Sequence, residues 1–104
     1  MNYIMVFCTC EKEEAERIAK TLTEEKLVAC ISMSDVKSFF WWNKKVEEKK
    51  EVILVMKSRE DMWASIKDRI KEMHSYEIPE IVAVPVKYGL YDYFNWIDEI
   101  VGEK

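Results

Sequence analysis

The sequence predicts an α+β fold of the ferredoxin-like split βαβ type, with a long β-hairpin arm and an extra C-terminal helix. Three observations carry this reading. Apolar β-prone runs and amphipathic stretches follow one another as strand, helix, strand, long strand, helix, strand. The first helical stretch repeats its apolar residues at i, i+3, i+4 and i+7 and the second at i, i+4, i+8 and i+11, each marking one helix face, whereas the strand runs do not. The last strand run contains Pro85, which has no N–H for a ladder and therefore belongs at a sheet edge, where this fold puts it.

Residues 2–9, "NYIMVFCT", form an apolar run that ends where charges begin, which predicts a central strand covered on both faces. In "EKEEAERIAKTLTEEK", Ala15, Ile18, Ala19 and Leu22 mark one helix face, and glutamates crowd the first turn, where the helix dipole favours them. "LVACISMS" reads as a second strand. "KSFFWWNKKVEEKKEVILVMK" reads as a hairpin arm turning near Asn43-Lys44 and ending in the buried run "VILVM". Ser58 and Asp61 give an S-x-x-D helix start, and Met62, Ile66, Ile70 and Met73 then define one face, with His74 at the helix end. Residues 81–88, "IVAVPVKY", make the edge strand, which Gly89 closes. Phe94, Ile97 and Val101 line a short terminal helix.

A chain of 104 residues fits one domain, spanning 1–104, and 49% hydrophobic residues with 12% aromatics are enough for a core. The net charge of −4 comes from 16 basic and 20 acidic residues interspersed along the chain, so no basic nucleic-acid footprint is present. The stretch "NKKVEEKKE" is diluted by glutamates and reads as a solvated face. Three cysteines, Cys8, Cys10 and Cys30, are an odd number without C-x-x-C spacing, which argues against a disulfide framework and for a reducing compartment. No apolar run is long enough to span a bilayer and the N-terminus lacks signal-peptide character, so a cytoplasmic location is expected. The Lys/Glu bias is that of heat-adapted proteins, which predicts thermostability.

The stretch "FFWW" is apolar on both faces of a strand, Phe39 and Trp41 on one side and Phe40 and Trp42 on the other. One two-layer domain covers a single face of its sheet. For one such residue an aromatic core position is the simpler reading, but four in succession at the polar end of a hairpin predict an oligomer interface. Base stacking is the competing use, and it needs a positive groove that the charge balance does not supply.

Few residues offer chemistry. Gly89 and Gly102 are the only glycines, so phosphate-binding loops, dinucleotide fingerprints and nucleophile elbows are absent. With His74 the only histidine, one chain does not build a His-rich zinc site. His74 sits near Tyr76 and Glu77 and suits either a metal or the negative end of a helix dipole. The cysteines are soft ligands for copper or zinc, or small core residues. A Cys30–His74 nucleophile pair lacks an orienting third group, so no catalytic residue is assigned and no enzyme is expected. Lys57 is a charge at the end of a buried strand.

"EKLVAC" at 25–30, "FWW" at 40–42 with "KVEE" after it, "VILVMKSRED" at 52–61, "HSYEIPEI" at 74–81 and "DYFNWI" at 92–97 stand in the order seen in the CutA family of divalent-cation tolerance proteins. The chain resembles that family over nearly its whole length. The resemblance implies a ferredoxin-like fold in a tight homotrimer akin to PII-type signalling trimers, whose hairpin arms pack on neighbouring subunits. It implies a cytoplasmic role in binding copper or another divalent cation, with no organic cofactor. A metal set of His74, Cys30, Cys8 and Glu77 is expected on this ground. Phe39, Phe40, Trp41, Trp42, Lys57 and Tyr76 are expected at the inter-subunit cleft or interface, which leaves room for a small-molecule or protein partner. Membrane and nucleic-acid partners are not expected. Three positions depart from the family pattern: Ser75 for a proline, Lys44 for a turn glycine and Ser32 for an asparagine. The first bears on how His74 is held, the second on the turn type and the third on a hydrogen bond.

Overall fold

In the computed structural model, which describes residues 2–102, β1 (Tyr3–Cys10) alternates strictly between half-buried and buried positions. Ile4, Val6, Cys8 and Cys10 enter the core, and Tyr3, Met5, Phe7 and Thr9 face the other way. This corrects the expectation of a strand covered on both faces. The run is apolar on both sides, yet only one side is sealed within a single chain. α1 (Lys12–Glu24) buries Ala15, Ile18 and Leu22, while Ala19 stays at the rim.

β2 (Cys30–Trp42) and β3 (Lys45–Arg59) form one continuous hairpin, with Cys30 opposite Lys57 and Trp42 opposite Lys45. The second strand and the arm are thus a single element rather than two. Asn43 and Lys44 turn it with φ of 51° and 65°, both in the left-handed region, the pattern of a two-residue type I′ turn. Lys44 therefore keeps the turn type that a glycine would serve. β4 (Ile81–Val86) pairs antiparallel with β1 and completes the sheet order β2-β3-β1-β4, with Pro85 on the outer strand as expected.

A single 3-10 turn (Glu60–Met62) precedes α2 (Trp63–Met73), which buries Ile66, Ile70 and Met73 against α1 and the sheet. The expected S-x-x-D cap is not used. Ser58 is the fully buried penultimate residue of β3, and its hydroxyl donates to the Leu27 carbonyl at 2.7 Å. Asp61 instead accepts from Arg59. Arg17 donates to the Met73 carbonyl at 3.1 Å, satisfying one of the orphan acceptors at the end of α2.

α3 (Tyr91–Ile100) does not join the other helices. Phe94 stacks on Tyr3 with centroids 4.1 Å apart and planes 1° from parallel, and Tyr3 points away from the main core. The Tyr3 hydroxyl donates to Asp98 at 2.6 Å, and Arg59 also reaches Asp98. A second small cluster of Ala29, Ile97 and Val101 results. The helices consequently occupy both sides of the sheet, not one.

Candidate functional site

The site begins where β1 stops. β1 pairs with β3 as far as Cys10 opposite Val52, and beyond that point residues 36–42 and 45–51 continue as a two-stranded ribbon. The segment following α2 returns beside the base of this ribbon. Between the two lies a cleft of about 910 Å³, whose walls include Phe39, Phe40, Trp41 and Trp42 from the arm and Tyr76 and Ile78 from the segment.

Period-two geometry sorts the ribbon. Phe40, Trp42, Glu47, Lys49 and Glu51 share one face, and Phe39, Trp41, Val46 and Glu48 the other. Phe39 is 65% and Trp41 73% exposed, against 36% for Phe40 and 38% for Trp42. The stretch read as a solvated face is therefore two-sided. Glu48 is exposed and pairs with Lys37, but Glu51 is only 6% exposed.

Glu51 is held from above. The Tyr76 hydroxyl donates to its Oε2 at 2.6 Å. The Lys49 ammonium stands 4.3 Å over the Tyr76 ring centroid and pairs with Glu11 at 2.6 Å. Burial, then the hydrogen bond to Glu51, pushes the Tyr76 phenol far above its ordinary range.

His74 anchors the same segment. Its imidazole is fully enclosed. Nε2–H donates to the Thr9 carbonyl at 2.7 Å, and Nδ1 accepts from the Tyr76 N–H at 3.1 Å. A carbonyl only accepts and an amide N–H only donates, so the pattern fixes the Nε2-protonated tautomer. Ser75, where the family pattern has proline, donates through its hydroxyl to Glu14 at 3.0 Å. The freed backbone is thus tied down by a side chain.

The four expected metal residues do not come together as one ligand set. Cys8 is fully buried in the core, and burial pushes its thiol up to about 12. Cys30 is half-buried, with its sulfur 3.4 Å from the Tyr93 hydroxyl. Glu77 is exposed on the cleft rim, and His74 has both ring nitrogens engaged. Among the described residues no three His, Cys, Asp or Glu side chains converge as a metal site. Lys57 lies across from Cys30, outside the cleft lining. Glu51, Lys49, Thr9, Ile78 and Glu80 are among the site residues that sequence reasoning passed over. The available signal was register: Glu51 falls on the same ribbon face as Phe40 and Trp42.

Fold and site together define a ferredoxin-like α+β protein with an aromatic hairpin arm beside an acidic cleft. The chain belongs to the CutA1 divalent ion tolerance protein family, which it matches over residues 4–100. It is 48% identical over 89 residues to the divalent-cation tolerance protein CutA of Archaeoglobus fulgidus, covering 86% of this chain and 87% of that one. The solved structure of the A. fulgidus protein, described as periplasmic, superposes with a TM-score of 0.92 at 43% identity, over 94% of this chain and 97% of the other. The crystal structure of CutA1 from Oryza sativa superposes with a TM-score of 0.95 at 32% identity, covering 100% of this chain and 97% of that one. These names are those of tolerance proteins and not of enzymes. Among the described residues no helix is long and apolar enough to cross a membrane.

Proposed function

We propose that the chain acts as a cytoplasmic homotrimer in divalent-cation tolerance, binding copper or another divalent ion. The observation that carries the assembly is the pair Phe39 and Trp41, 65% and 73% exposed on an arm that extends past the rest of the sheet. Burying each against a neighbour contributes on the order of 2–3 kcal/mol. The three free thiols, Cys8, Cys10 and Cys30, support a reducing compartment. Because no ligand set converges within the described residues of one chain, the cation draws its ligands from more than one copy. Glu77 on the cleft rim and the half-buried Cys30 are the accessible donors, and His74 joins them only by giving up Thr9 or Tyr76. A calorimetric titration of copper and zinc into metal-stripped protein tests this. A whole-number ratio per trimer is expected, and affinity no tighter than bulk surface carboxylates contradicts it.

A second reading, a PII-like module that binds a small metabolite or a protein partner in the cleft, is favoured by one observation. A volume of about 910 Å³ walled by aromatic side chains is the size and lining of a small-molecule site rather than of a bare ion.

A further inference from the structure

We infer that this cleft takes an organic cation, specifically a flexible amine carrying two or more ammonium groups; the inference rests on the second reading above.

The anchor is Glu51. It is 6% exposed and lines the cleft, yet among the described residues no cation pairs with it. The Tyr76 hydroxyl occupies Oε2, and among the described residues no group donates to Oε1. The cation nearest in register on the same face, Lys49, is committed to Glu11. Oε1 is open to the cleft rather than sealed, and a positive group seated beside this deeply set carboxylate meets its charge with less solvent screening than at an exposed surface.

The rim repeats the sign. Glu77 and Glu80 also line the cleft and have no ion-pair partner among the described residues, while Glu47 and Glu48 pair with Lys45 and Lys37. These carboxylates are spread around the opening. A metal ion needs donors converging on one point, which is not the arrangement here. A chain of ammonium groups does not need convergence, since each charge meets its own carboxylate. The walls fit the same ligand. Phe40 and Trp42 share the face of Glu51, and their rings accept both an ammonium over the π-face and the methylene segments between charges. The more exposed Phe39 and Trp41 are left for the neighbouring copy.

Calorimetry with spermidine as the probe, and ATP as an anionic counterpart, tests the inference on the intact assembly, with its mass followed by light scattering. Spermidine is expected to bind, and Glu51→Gln to weaken it roughly 10-fold or more. Trp42→Ala, which leaves the buried network intact, is expected to weaken it as well and serves if Glu51→Gln fails to fold. Absence of spermidine binding, or affinity unchanged in both variants, overturns the inference. So does a Glu51→Gln variant that loses assembly mass with affinity intact, because Glu51 then pairs with a cation of another copy. ATP bound in place of spermidine overturns the ligand class and keeps the small-molecule reading. If neither binds, both fall.

Discussion

The Tyr76 hydroxyl donates a 2.6 Å hydrogen bond to Glu51, joining the segment after α2 to a buried carboxylate at the base of the hairpin arm. The phenol is held well above its ordinary value of 10.0, first by burial and then by Glu51, so the folded state favours the neutral form. That contribution is complete below the unfolded value and is lost as pH rises above it. Wild-type protein should therefore lose thermal stability on the alkaline side of about pH 10, and Tyr76→Phe should decline less steeply there. Melting temperatures recorded against pH check this, and parallel curves for the two proteins contradict it.

His74→Ala removes two hydrogen bonds from an enclosed ring, taking the imidazole donor from the Thr9 carbonyl, which keeps only the longer contact from the Cys8 thiol at 3.6 Å among its side-chain donors, and the ring acceptor from the Tyr76 N–H. A loss of roughly 2–4 kcal/mol is expected by denaturant unfolding. A loss below about 1 kcal/mol, the scale of an ordinary surface change, would mean the ring does not hold the segment.

The helices were legible because their apolar periodicity is local: Ala15, Ile18 and Leu22 in α1 and Ile66, Ile70 and Met73 in α2 are all buried where the spacing puts them. Pro85 likewise announced an edge strand through its missing N–H. What failed depends on tertiary placement. Ser58 looks like a helix cap in sequence, but the strand runs on past it and its hydroxyl finds Leu27, 31 residues away. Glu51 sits in a charge run that reads as solvated, and only register and the returning segment bury it. His74 was visible as a helix-end residue, whereas its partner Thr9 comes from the other end of the chain. The placement of α3 across the sheet rests on Phe94 meeting Tyr3, a contact that no periodicity encodes.

Thiol reactivity should divide by burial. Burial pushes Cys8 to about 12 and Cys10 to about 11, and both are fully enclosed, so neither presents a thiolate near neutrality. Iodoacetamide at neutral pH should label the folded chain at Cys30 alone, with Cys8 and Cys10 reacting only after denaturation. Mass spectrometry of the peptides decides it, and labelling of Cys8 in the folded protein would contradict the packing described.

Lys44 carries a left-handed φ of 65° that costs a side-chain-bearing residue about 1–2 kcal/mol. Glycine relieves this and loses part of the gain to its freer unfolded chain. Lys44→Gly should therefore stabilise the protein by about 0.5–1 kcal/mol in chemical denaturation. An unchanged or lowered stability would mean the Lys44 side chain makes a compensating contact.

The arm makes the most direct demand on the account, because Phe39 and Trp41 are left exposed by their own chain. Light scattering at micromolar concentration should give wild-type protein three times the 12.5 kDa chain mass, and the double variant Phe39→Ser/Trp41→Ser a smaller species. A wild-type mass of one chain would contradict the assembly and, with it, the reading of the aromatic arm.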